Sequence, residues 1–111
     1  MSKVITSPVK RYSGTVTLYD PLTFPQSIAF EDALEAVRAL GKTATMSKIR
    51  YAFLPGVLAC VESWSLNGGF PERPALDTFP STPKAPIGEL IEWLIAEVSA
   101  LYRDSEDVPL A

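Results

Sequence analysis

The sequence predicts an α+β fold: a short N-terminal β-hairpin or ribbon, then three main helices, with a proline-rich ordered strap between the second and third. Three observations carry that prediction. Between Val9 and Leu18, "VKRYSGTVTL" sets Tyr12, Gly14, Val16 and Leu18 on one side of an extended chain and Ser13, Thr15 and Thr17 on the other. Period-two alternation rich in β-branched residues marks a strand buried on one face. Beyond Phe24, apolar residues recur at helical spacing in separate stretches. Residues 70–86, "FPERPALDTFPSTPKAP", hold half of the ten prolines and lie between two strongly apolar segments.

Taken in order, "KVIT" at residues 3–6 is a shorter strand, and Ser7-Pro8 supplies a turn between it and the alternating run. A two-stranded ribbon is marginal alone and must lie on helices or pair with a second copy. Gly14 within the strand indicates a bulge or a close backbone approach. The strand region ends at the Asp20-Pro21 turn, and Thr23 with Gln26 has the form of a capping box that opens a helix from Phe24 to Leu40. Pro25 fits its first turn, and Gly41 fits the position just past its end. The stripe of that helix is Phe30, Leu34, Val37 and Leu40; Glu31, Asp32 and Glu35 sit towards its start, and Arg38 and Lys42 at its end, in the sense of the macrodipole. A second helix is expected from Thr45 to about Trp64, with Ile49, Phe53, Val57, Cys60 and Trp64 in phase, bent or split by Pro55. The third, from Pro86 to about Arg103, carries Ile87, Leu90, Ile91, Leu94, Val98 and Leu101. The Leu90, Leu94, Val98 and Leu101 ridge is expected to meet Phe53, Val57 and Cys60.

These elements make one domain over residues 1–111: a ribbon at 1–19, helices 1 and 2 at 23–66, the strap at 67–85 and helix 3 at 86–105. A chain of 111 residues suits a single core. The strap reads as ordered because large apolar residues, Phe70, Leu76 and Phe79, are spaced among prolines that reduce the entropy lost on ordering. Phe79, flanked by Thr78 and Pro80, is its expected anchor.

Composition narrows the chemistry. With 47% hydrophobic and 21% charged residues the chain reads as a globular protein, and a net charge of −3 offers no general attraction to nucleic acid or anionic lipid. The longest apolar run, Ala52 to Val61, contains Pro55 and is far short of the roughly twenty residues of a membrane span. No signal peptide is readable, and a single cysteine excludes an internal disulfide framework, so the expected location is a cytoplasm. The absence of histidine removes the commonest general base, the usual triads and most zinc sites. Cys60, on an apolar helix face, reads as core. Glu31, Asp32 and Glu35 read as favourable helix charge, and adjacent Ser47 and Lys48 point apart on a helix. Gly68-Gly69 lacks the pattern and the lysine of a phosphate loop. The expectation is a protein without catalysis, cofactor or metal. Its candidate partner-binding residues are Trp64, Phe70, Phe79 and Trp93, large rigid side chains that give contact area at small entropic cost, against the alternative that they are core. Trp93 stands apart from the main stripe among Glu89, Glu92 and Glu97. Self-association through the unpaired ribbon edge is also expected, opposed by charge from Lys3, Lys10 and Arg11.

The order of "SPVKRYSGTVTLYDPLTFPQSIAFEDALEA", "LPGVLACVESW" and "DTFPSTPKAPIGELIEWLIAEVSALY" resembles small bacteriophage and prophage proteins from the tail gene region, of the tail assembly chaperone type. The resemblance covers most of the chain and assigns no individual residue. It implies a small, largely helical, acidic, non-enzymatic viral protein in the host bacterial cytoplasm, one that holds the tape measure protein while tail tube protein assembles around it. The chain departs from that pattern in its pronounced N-terminal strand. That strand keeps open a structural virion protein, such as a tail terminator or head–tail completion protein. A small inhibitor or adaptor that binds a host protein, or a minor enzyme with carboxylate chemistry, is the third alternative.

Overall fold

In a computed structural model, residues 2–68 and 84–106 are described. The chain forms β1 (Ser2–Thr6), a 3-10 turn (Lys10–Tyr12), β2 (Gly14–Tyr19), α1 (Phe24–Ala39), α2 (Met46–Ala59), β3 (Val61–Leu66) and α3 (Lys84–Glu106). The strands make one antiparallel sheet in the order β1-β2-β3. The fold is α+β, as the sequence predicts. Its helices bury their apolar stripes in one continuous core with the inner face of the sheet, where Ile5, Val16, Leu18 and Trp64 join Phe30, Val57, Leu90, Leu94 and Val98. The ridge expected on α3 and its expected counterparts Val57 and Cys60 all lie in this core, and Phe53 packs against it.

Local chemistry accounts for most boundaries. At the start of α1 the Thr23 N–H donates to the Gln26 Oε1 at 2.8 Å, completing the expected capping box, with Pro25 in the first turn. At its end Gly41 takes a φ of 78°, the left-handed region that a Cβ disfavours. Glu31, Asp32 and Glu35 lie in the middle turns, and the first turn holds no acid, so the helix dipole does not act on them as the sequence suggested. The Thr45 hydroxyl accepts the Lys48 N–H at 3.3 Å and caps α2. Pro55 does not split that helix. It sits on an exposed face, so the carbonyl it leaves unpaired can turn to water.

The ribbon differs from expectation in two ways. The start of the alternating run from Val9 to Leu18 is not strand: the Tyr12 N–H donates to the Val9 carbonyl at 3.1 Å and winds Lys10–Tyr12 into a 3-10 turn that buries Tyr12. The larger difference is a third strand where the sequence suggested the end of helix 2. The α-helix stops at Cys60, whose carbonyl accepts the Tyr19 N–H at 3.1 Å, and the chain turns directly into β3. Leu18 faces Val61 while Thr17 faces Ser63, so Glu62 is an extra residue in a β-bulge. The bulge brings Val61 and Trp64, three residues apart, onto the same buried face. Three-residue spacing is also helical spacing, which is why the segment reads as helix in the sequence.

Two close approaches join neighbouring elements. Gly14 is where β2 meets β3: with φ at 136°, a Cβ there would lie 1.9 Å from the Ser65 carbonyl oxygen. Gly56 of α2 rests on Ala29 and Ala33 of α1, and a Cβ there would meet the Ala33 Cβ at 2.7 Å. The proline-rich strap, with Phe70, Leu76 and Phe79, lies outside the described residues.

Candidate partner-binding cleft

The N-terminal halves of α2 and α3 line an apolar cleft of about 140 Å³. Ser47, Arg50, Tyr51 and Leu54 line it from α2, and Ile87, Gly88 and Ile91 from α3. The i, i+3, i+4 and i+7 spacing from Ser47 to Leu54 places these α2 residues on one side of the helix. Leu54 and Ile91 are buried and form its floor. Gly88 leaves the surface of α3 open, and the Arg50 guanidinium occupies that space. There its Nε donates to the Glu92 Oε1 at 3.1 Å and its Nη2 completes an ion pair with the same oxygen. That pair is partly exposed and fixes the Arg50 side chain along one wall more than it stabilises the fold. Tyr51 stands at the rim, 66% exposed, and Met46 is 54% exposed one turn earlier on α2.

A cavity of roughly 150 Å³ with apolar walls takes a benzene ring. The cleft therefore has the size and lining to receive one large apolar side chain. The Arg50 guanidinium lies along one wall, and Ser47 and Tyr51 are polar, exposed members of the lining that can bond the backbone around such an anchor.

The residues singled out from the sequence are distributed otherwise. Trp64 is 4% exposed on the inner face of β3, paired in register with Val16. It is core, so the structural alternative holds for it. Trp93 is half-buried and packs against the core from α3. Phe70 and Phe79 lie outside the described residues. The cleft was missed because its residues carry no motif: Ile87 reads as an ordinary member of the apolar stripe of its helix. The available signal was Tyr51, a large aromatic off the apolar stripe of its helix.

Other potential chemistry is quiet. The Cys60 thiol is buried, and burial pushes its pKa from 9.0 up to about 11, so it is a thiol and not a nucleophilic thiolate at neutral pH. Glu31 accepts the Tyr102 hydroxyl at 2.9 Å, a bond that ties α1 to α3 beside the Phe30–Tyr102 ring contact at 5.0 Å. Among the described residues, no group of acids, cysteines or histidines is placed to hold a metal ion, and no helix is long and apolar enough to cross a membrane. Comparison of the chain with protein-family models, with curated proteins and with solved structures returns no match.

Proposed function

We propose that this protein is a non-enzymatic binding protein of the phage tail assembly chaperone type, which captures a segment of the tape measure or tail tube protein. The observation that carries the reading is the α2–α3 cleft, an apolar recess for one anchor side chain with Tyr51 exposed at its rim. Such a recess suits recognition of a partner segment that exposes one large apolar side chain. The composition supports the same reading: the chain has no histidine, and its one thiol is held protonated. No cofactor, nucleic acid or membrane enters the mechanism. Binding covers apolar surface on the partner until assembly displaces it, and that requires only reversible packing. A pull-down with the cognate tape measure protein is the test. Enrichment over an unrelated coiled-coil protein is expected, and its failure under conditions where the tail assembles would sink the proposal.

The second reading, a structural virion protein such as a tail terminator or head–tail completion protein, is favoured by one observation, the outer edge of β1. Mass spectrometry of purified particles separates the two. A chaperone is absent from finished virions, and a joining protein is present at a fixed copy number.

A further inference from the structure

The strand β2 is bonded on both sides, whereas the outer side of β1 has no strand beside it among the described residues. Which backbone groups face that side follows from a single bond. The Ser7 N–H donates to the Gly14 carbonyl at 2.9 Å. Ser7 and Gly14 continue the register that sets Ile5 against Val16 and Lys3 against Leu18. Bonded pairs alternate along an antiparallel ladder, so Ile5 and Lys3 also bond inward. The N–H and C=O groups of Ser2, Val4 and Thr6 therefore face outward. Val4 points its side chain to the sheet face opposite Ile5 and is 63% exposed. Of the basic residues expected to blunt this edge, Lys10 and Arg11 belong to the 3-10 turn, and Lys3 alone remains on the strand.

We infer that β1 pairs antiparallel with β1 of a second copy, about a two-fold axis at Val4, and so joins the two sheets into one. This goes beyond the binding reading and does not depend on what the cleft holds. At that register the outward groups of Val4 meet those of the second copy's Val4, and the groups of Ser2 meet those of Thr6 on either side. Lys3 then lies across from Ile5 of the second copy. An axis at Lys3 would set two ammonium groups directly opposite each other, and an axis at Ile5 would leave Ser2 without a partner. The edge is thus self-complementary at one register, the condition for an isologous interface, and this favours a second copy over an unrelated strand.

Sedimentation across a concentration series tests it, with the mass expected to rise from 12.1 kDa towards twice that value. Val4→Pro removes an outward N–H and no bond to β2, and proline is tolerated at such an edge position. Its expected effect is a dissociation constant weakened by about thirtyfold, from the loss of two intermolecular hydrogen bonds. Cysteine cross-linking gives a readout that does not need the proline variant to fold. Bonded partners sit about 5.5 Å apart between Cα atoms, inside the roughly 4.4–6.8 Å that a disulfide spans. Mild oxidation should therefore link Val4→Cys chains and leave Lys3→Cys chains unlinked, with the buried Cys60 taking no part. A strict monomer at high micromolar concentration would overturn the inference. So would a dimer indifferent to folded Val4→Pro, or Lys3→Cys cross-linking as readily as Val4→Cys.

Discussion

Replacing Gly56 with alanine should destabilise this protein, although the same change in an unobstructed helix would stabilise it. Glycine inside a helix costs about 1 kcal/mol relative to alanine, so helix propensity alone predicts a gain. In this fold the added Cβ would lie 2.7 Å from the Ala33 Cβ, 2.8 Å from the Ala29 carbonyl oxygen and 2.9 Å from the Phe30 Cα. Carbon atoms prefer about 3.5–4.0 Å, and the Ala29 and Phe30 atoms are helix backbone that no side-chain rotation can move. Relief requires α1 to retreat from α2, which loosens the packing of Phe30, a fully buried residue. Overpacking of this kind costs about 1–3 kcal/mol, and with the helix gain subtracted a net loss of up to about 2 kcal/mol is expected. For a domain of this size that lowers the melting temperature by up to roughly 16 °C. Urea titration and a thermal scan both read it. Gly56→Ala stabilising by about 1 kcal/mol would refute the close α1–α2 approach, because only an unobstructed helix gives that sign.

Leu94→Ala removes a fully buried side chain between the helices and the sheet, and a loss of about 2–5 kcal/mol is expected in chemical denaturation; a loss under roughly 0.5 kcal/mol would place the α3 stripe elsewhere. Glu92→Gln should cost at most about 1 kcal/mol by the same assay, since its ion pair with Arg50 is partly exposed. The folded state holds the Cys60 proton more tightly than the unfolded chain does, so the contribution of this thiol to stability is constant below pH 9 and falls as pH rises from 9 towards 11; Cys60→Ser should lose less stability over that window than the wild type, as pH-dependent urea melts can check.

Much of this architecture is legible in the sequence because its signals are local. The capping box at Thr23 and Gln26, the terminal Gly41 and the long stripe of α3 depend on neighbours within a few turns. Gly14 also announced its close approach, since a glycine inside a β-branched run has few other uses. The third strand was hidden because its register includes a bulge at Glu62, which gives Val61 and Trp64 a helix-like separation. Only pairing with β2, more than forty residues earlier in the chain, decides between the two readings. The cleft was hidden for a related reason. It is lined by residues of two helices, and the placing of Tyr51 and Ile87 around it is a property of packing that neither local stretch encodes.

Partner capture by a cleft-filled variant tests the central claim most directly. Ser47 is exposed at the cleft wall, so Ser47→Trp should place an indole in the recess without disturbing the core. Immobilised tape measure protein is offered to wild-type and variant chains matched for melting temperature. The expected result is capture by the wild type and loss of most capture by Ser47→Trp. Undiminished capture by a natively folded Ser47→Trp, with its indole shown by fluorescence to be shielded from solvent, would contradict the assignment of the α2–α3 cleft as the binding site.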